Sequence, residues 1–415
     1  LCGELCEAVV GASPEPAYAV LEYLERANLF LIPLDQEHHW YRYHHLFADL
    51  LKLQLQRNPP VPIPELHLRA SSWYAGNDQI EPAIEHAFTA GDLDRAAGLI
   101  EQHSQSLGFQ VGFERLQAWH DRLPPEMLVS RAWIAISQAW LYLVSGKLPP
   151  LIQLMEQIQE QAQTSWMGRY SGASRQDLLA NITCLRAYIA FFSGDLAQGL
   201  VLAGEALHLN RPENGVLRVR LLVQNGEFSQ TNRDHPRACQ FLLPAIDLGL
   251  SLQDFQSTTT ALVRVYRSLQ LLGQLNQAEA VAQKVMQALS EAGRMNSPIA
   301  GKVSICWGDL LRERGQMETA RGWLERGLAQ SRLYSIPFDI ITALVFNVKW
   351  FCSRGLYEEG LRLLDEGLPL LSTYAIPPPI EFSWWLWRSR ACLGKGDRQG
   401  VYARPQGLTR FSEGN

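Results

Sequence analysis

Several features are missing from this chain, and each absence removes a class of function. No apolar run is long enough to span a bilayer, and the first residues do not read as a signal peptide. Positive charge is not in excess: 37 Lys and Arg against 42 Asp and Glu leave a formal charge of −5. That balance gives no electrostatic footprint for DNA or an anionic membrane, so neither is expected to bind directly. A phosphate-cradling Gly-x4-Gly-Lys-Ser/Thr loop is also missing, because Ser145-Gly146-Lys147-Leu148 and Gly394-Lys395-Gly396 both fail its spacing. No Ser/His/Asp, Cys/His or paired-carboxylate arrangement stands out, so the expectation is a chain that is not an enzyme. The seven cysteines are odd in number and mostly scattered, with only Cys2 and Cys6 at i and i+4. Reduced, buried thiols and a cytoplasmic setting are expected. The sequon Asn181-Ile182-Thr183 falls within a predicted helix and does not alter that expectation.

What is present is repetition. Links between helical segments fall at 194, 233, 273, 315, 355 and 396, recurring every 39–42 residues. Five positions after a link comes a small residue: Gly199, Ala238, Ala278, Ala320 and Gly360, with Ala96 placed likewise after Gly91. A glycine ends the first helix of a pair in left-handed dihedrals, and a small residue on the second lets the two backbones approach. Hydrophobic residues make up 47% of the chain, enough to bury both helices of each pair. The reading is an all-α, tetratricopeptide-like superhelix, a binding scaffold by architecture. The link at Asn232-Arg233-Asp234 lacks the glycine and is its weakest member.

The first 58 residues differ. Helical segments at Glu4–Val10 and Pro16–Ala27 precede two β-prone runs, Phe30–Leu34 and Trp40–Tyr43, around the polar turn Asp35–His38. His44–Gln56 then places Leu46, Phe47, Leu50, Leu51 and Leu53 on one helical face. Helix, helix, hairpin, helix is the order of a partial winged-helix module. The expected organisation is therefore a partial winged helix (1–58), a Pro-rich linker (59–64) with a helix beginning near Glu65, and a linking helical region (65–145). A sensor superhelix (146–400) and a disordered tail (401–415) complete it. A Ser/Gly-rich loop is expected at Thr164–Ser174. Leu1-Cys2-Gly3-Glu4 reads like the interior of a domain, which suggests a fragment.

Leu21–Asp35, Trp40–Leu51, Leu66-His67-Leu68-Arg69-Ala70 and Ile84–Asp92, in that order, resemble the MalT-like ATP-dependent regulators of the LuxR family, within the STAND class of signalling NTPases. The resemblance implies a nucleotide-binding domain, a winged helix, a tetratricopeptide-like superhelix that senses an inducer, and a helix-turn-helix. Only the winged helix and the sensor are legible here. ATP or ADP would belong to the missing N-terminal domain, and DNA would be reached only through the missing helix-turn-helix. Partners would be a small inducer or a regulatory protein, with self-association. A free-standing tetratricopeptide-like adaptor that binds protein segments is the alternative.

By the same resemblance, His44 takes the place of the winged-helix histidine that touches the β-phosphate of ADP. A purely structural His44 is the competing reading, and His45 stands where relatives often carry Asp. The cluster His38-His39 and His44-His45 does not have zinc-site spacing. In the tetratricopeptide register the concave face carries Thr260, Val263, Arg267 and Gln270, then Lys302, Asp309 and Arg312, then Thr342, Lys349 and Cys352, and finally Ser383, Leu386 and Arg390. Arg267, Lys302, Lys349 and Arg390 line up as a basic strip for an anionic or polyhydroxylated ligand, the alternative being solvated charges. Trp307, Trp350, Trp384, Trp385 and Trp387 would either stack on a sugar ring or fill the core.

Overall fold

A dihedral signature marks the links. At Gly194 (φ 89°) the amide donates to Phe191 O at 3.2 Å and the next amide, Asp195 N, to Ala190 O at 2.9 Å. This paired bond satisfies the last carbonyls of the helix and needs a left-handed residue. The same pair of bonds closes the helices ending at Gly146, Gly273, Gly315 and Gly355, all with positive φ. Arg233 makes it too, at φ 62°, with Asp234 N reaching Ser229 O at 2.9 Å. The link without a glycine therefore keeps the geometry and accepts the strain of a side chain there.

The computed structural model describes residues 1–11, 15–110, 113–170, 172–334 and 336–401. Its contacts divide it into two units, Leu1–Ile134 and the residues from Ala135 onward. The expected tail lies outside the described residues, apart from position 401. Among the described residues no helix is long and apolar enough to cross a membrane.

In the first unit, α1 (Gly3–Val10) and α2 (Ala17–Arg26) lead to the hairpin of β1 (Leu31–Pro33) and β2 (Tyr41–Tyr43). The strands are antiparallel, with Leu31 opposite Tyr43 and Pro33 opposite Tyr41. Then come α3 (His45–Arg57), α4 (Ile63–Gly76), α5 (Ile80–Thr89), α6 (Leu93–Gln110), α7 (Phe113–His120) and α8 (Pro125–Ser130). Leu21, Leu31 and Tyr41 form one small core, and Cys2, Leu5 and Ala70 form another. The helix after the Pro-rich segment starts at Ile63, two residues before the expected Glu65, because Pro64 suits a first turn. The apolar face of α3 is largely uncovered within this unit: Leu46, Leu50, Leu51 and Leu53 are exposed, and Phe47 packs on Phe30.

The second unit begins within α9 (Ala132–Val144) and continues with α10 (Leu148–Gln163) and α11 (Trp166–Arg169). Regular pairs follow: α12 (Gly172–Phe192) with α13 (Leu196–Leu209), α14 (Gly215–Thr231) with α15 (His235–Ser251), and α16 (Phe255–Leu271) with α17 (Leu275–Glu291). Next are α18 (Gly301–Glu313) with α19 (Met317–Tyr334), and α20 (Pro337–Ser353) with α21 (Tyr357–Asp365). The short α22 (Leu368–Thr373) and α23 (Pro378–Lys395) end the array. The expected loop at Thr164–Ser174 is corrected: it holds α11 and the start of α12, because the indole of Trp166 is buried and anchors a helical turn. Helix starts carry a signal of their own. Asp195, Asn214, Asp234 and Asp254 each cap the following helix by accepting from the amide three residues on.

One apolar core runs without interruption from Val219 to Trp350 through α14–α20. Ala238, Ala278 and Ala320 sit in it at 0–1% exposure. The array also turns back on itself. Ala375 N, between α22 and α23, donates to Gly146 O, between α9 and α10, at 2.9 Å. A Cβ at Gly146 would lie 3.0 Å from Tyr374 Cβ and 3.2 Å from Ala375 O, so the close approach needs glycine there.

These contacts set the cost of enlarging the small residues. Ala278→Arg or Ala320→Arg should destabilise the protein by roughly 3 kcal/mol or more through overpacking and a buried charge. A Cβ at Gly327 would sit 2.5 Å from Ile305 Cγ2 and 3.0 Å from Gly301 O, so Gly327→Val should cost about 1–3 kcal/mol. Denaturant melts of the three variants measure this, and curves that superpose on the parent's would contradict the pairing.

Candidate functional site: a chamber inside the superhelix

The first helices of the repeats, α9, α12, α14, α16, α18 and α20, turn one face to a common space, with α23 joining them. They line a half-open cavity of about 350 Å³. Trp140, Phe191, Phe192, Phe338, Phe346 and Trp387 supply much of its apolar wall. Phe192 of α12 and Phe338 of α20 lie 6.3 Å apart, centroid to centroid.

Charges in the wall are arranged in pairs across neighbouring helices. Arg264 of α16 bonds Glu227 of α14. Lys302 Nζ of α18 lies 2.8 Å from Asp339 Oδ2 of α20. Lys349 Nζ of α20 lies 3.1 Å from Asp309 Oδ2 of α18 and 4.2 Å from the centroid of the Phe346 ring. Arg267 differs. Its Nη1 donates to Ser383 Oγ of α23 at 2.7 Å, a contact spanning 116 residues of sequence. Burial pushes its pKa down, and the charge of Arg264 adds to that. The guanidinium nonetheless stays protonated.

Of the four residues of the expected basic strip, Arg267, Lys302 and Lys349 line the chamber and Arg390 does not. The Arg390 guanidinium is exposed and sits 4.9 Å from the centroid of Trp387. The two lysines are not the unpaired charges the strip required. A buried ammonium needs a partner, and Asp339 and Asp309 provide it from adjacent helices. Thr260, Val263, Gln270, Thr342, Ser383 and Leu386 also line the space, whereas Asp309, Arg312 and Cys352 are not among its lining residues. Of the five tryptophans, Trp387 lines the chamber. Trp384 is fully buried, and the Trp350 indole donates to Met317 O at 2.8 Å in the core.

Sequence reasoning missed Glu227, Gln230 and Gln256, all in the chamber wall. Their signal was weak, since a polar residue on an inner helix face looks like any solvated one. In the first unit His44 is the exposed N-cap residue of α3, and its amide donates to Phe30 O at 2.8 Å. His38 Nδ1 is 2.8 Å from Glu25 Oε1. Among the described residues no group of three or more His, Cys, Asp or Glu could hold a metal.

A family model described as the MalT winged helix domain matches residues 1–62, and one described as the MalT-like TPR region matches residues 180–382. The chain is 33% identical over 214 residues to serine/threonine-protein kinase PknK of Mycobacterium tuberculosis (strain CDC 1551 / Oshkosh), a match covering 51% of this chain and 18% of that protein. It is 26% identical over 272 residues to HTH-type transcriptional regulator MalT of Yersinia pestis (strain Pestoides F), covering 66% of this chain and 30% of that one. The matches thus span from under a fifth to under a third of these relatives. Among solved structures, a STAND protein with a tetratricopeptide repeat sensor from Pyrococcus horikoshii superposes with TM-score 0.54 at 11% identity, over 96% of this chain and 58% of that one. A Rap protein solved with Competence and Sporulation Factor gives TM-score 0.52 at 11% identity, over 75% and 85%. These two likenesses concern the fold.

Asp309 fixes the chamber wall from behind. Its carboxylate is fully buried and accepts from Tyr266 Oη at 3.0 Å, Arg312 Nε at 2.8 Å and Lys349 Nζ at 3.1 Å. Burial pulls its pKa upward, but the charges and hydrogen bonds of Lys349 and Arg312 outweigh this and hold it below the usual value. A carboxylate depressed in the folded state adds stability above its unfolded pKa, near 3.9, and loses it as pH falls through the folded value. Asp309→Asn should therefore cost about 3–5 kcal/mol at pH 7 by leaving Lys349 without its carboxylate, while Arg312 keeps Glu313. It should also flatten the loss of stability below about pH 4. Denaturant melts across pH 2–7 check both.

Proposed function

We propose that this chain, which belongs to the MalT-like family, senses a small ligand in the chamber of its second unit. Binding would be passed to the parent protein as a change in oligomerisation and transcription activation. The observation that carries the reading is the chamber itself. Seven helices from seven successive repeats contribute to one half-open, largely apolar space with a few fixed polar groups, at the lower end of the size range of small-molecule sites. A ligand touching α16, α20 and α23 together binds only the arrangement in which they converge, which is the differential affinity a switch needs.

The remaining roles follow from the family. ADP would hold the resting state, with His44 as a contact to its β-phosphate. An exposed imidazole at the start of a helix suits an anion there. Nucleotide hydrolysis and DNA binding are assigned to other segments of a regulator, and the sensor is read as non-catalytic and cytoplasmic. A second reading keeps the scaffold and changes the occupant. The Rap protein of like fold was solved with Competence and Sporulation Factor, so a polypeptide segment of a regulatory partner could occupy the concave face instead.

Filling the chamber tests the proposal. Thr342 lines it from α20, and its hydroxyl donates to Phe338 O at 2.7 Å. Thr342→Trp in the full-length regulator should abolish the transcriptional response to inducer, while circular dichroism shows unchanged helix content. A full response from that variant would remove the chamber as the sensing site.

A further inference from the structure

Among the described residues four cations line the chamber, and three of them are paired with a carboxylate. Arg267 is the fourth. Among the described residues no carboxylate lies within ion-pair distance of it, and one of its five N–H donors is used, on Ser383 Oγ. Beside it stands an acceptor with the opposite need. Gln230 Nε2 donates to Arg264 O and to Ser268 Oγ, both at 2.8 Å, which places this amide against the turn of α16 that carries Arg267. Those two bonds fix the amide's orientation, leaving Gln230 Oε1 buried with no donor among the described residues. Gln256 Oε1, also in the wall, has none either. A guanidinium without a carboxylate in an apolar wall, and buried carbonyl oxygens without a donor beside it, each cost free energy unless something completes them.

Resting on the reading of the chamber as the sensing pocket, we propose that its ligand is a small carboxylic acid with an apolar body. The carboxylate pairs with Arg267, whose planar fork matches it bidentately. The body packs among Phe192, Phe338, Phe346 and Trp387, which line the chamber. Sugars without a charged group leave Arg267 unmatched and are disfavoured. The pairing also ties ligand to closure. Arg267 reaches α23 through Ser383, whose Oγ donates onward to Pro379 O at 2.8 Å, so an anion on the guanidinium orders the contact between α16 and the last helix. A free organic acid and the C-terminus of a short apolar peptide present the same chemistry.

Isothermal titration of the purified chain distinguishes them. The probes are 3-phenylpropionate, 4-methylpentanoate and the dipeptide N-acetyl-Leu-Phe, each beside its primary amide. At least one acid should bind ten-fold or more tighter than its amide, and the tighter class of acid identifies the source. Arg267→Gln should bring the acid-to-amide ratio to near one, and Arg267→Lys should keep part of it. The lysine variant remains informative if the glutamine variant melts early. Amides that bind as well as acids, or acids that bind Arg267→Gln unchanged, overturn the carboxylate assignment while leaving the chamber as a ligand site. Absence of binding by every probe overturns the assignment as well. The sensing reading itself stands or falls separately, on the response of Thr342→Trp.

Discussion

A helix pair of about 40 residues cannot bury its apolar faces alone, and the architecture of the second unit rests on that constraint. Each pair must lend its surface to the next, so the core from Val219 to Trp350 is one continuous body shared by four pairs. Sharing requires a fixed offset between neighbours. The offset is set where backbones come closest, at Ala238, Ala278 and Ala320 on the second helices and at Gly308 and Gly327 between α18 and α19. Repeated, a constant offset curves the array until Ala375 meets Gly146. The chamber is what the curvature encloses.

Enclosure changes the electrostatics of the inner wall. On an open concave face Lys302 and Lys349 would be solvated, and a nearby acid would add little. In the closed turn each must be matched, and the partners come from the adjacent repeat: Asp339 for Lys302 and Asp309 for Lys349. Asp309 also holds Tyr266 and Arg312, so three helices meet at one carboxylate. The polar wall therefore joins repeats as the apolar core does, and it leaves Arg267 as the charge that these pairings do not use.

The first unit follows a different logic. Its cores are small, built around Leu21, Leu31 and Tyr41 on one side and Cys2, Leu5 and Ala70 on the other. The hairpin holds register because Leu31 and Tyr41 are buried, and a one-residue slip would expose them. Leucines on α3 are exposed in this unit, which marks it as a module whose burial is incomplete by itself.

By itself the sequence determined what depends on neighbours along the chain. Link glycines, the small residues five positions later, the β-prone runs around Asp35–His38 and the winged-helix order are short-range signals, and each appears in the fold where its local chemistry demands it. Asp and Asn caps at 195, 214, 234 and 254 belong to the same class, although they went unread. Only the tertiary structure decided which inner-face residues share a space and which charges remain over. Superhelical phase separates Arg390 from Arg267 and Lys349, although all three hold the same repeat position, six residues before a link. It also brings Ser383 to Arg267 across 116 residues and supplies Asp339 to Lys302. Pairings between repeats depend on small rotations summed over many helix contacts, and no local window of sequence contains that sum.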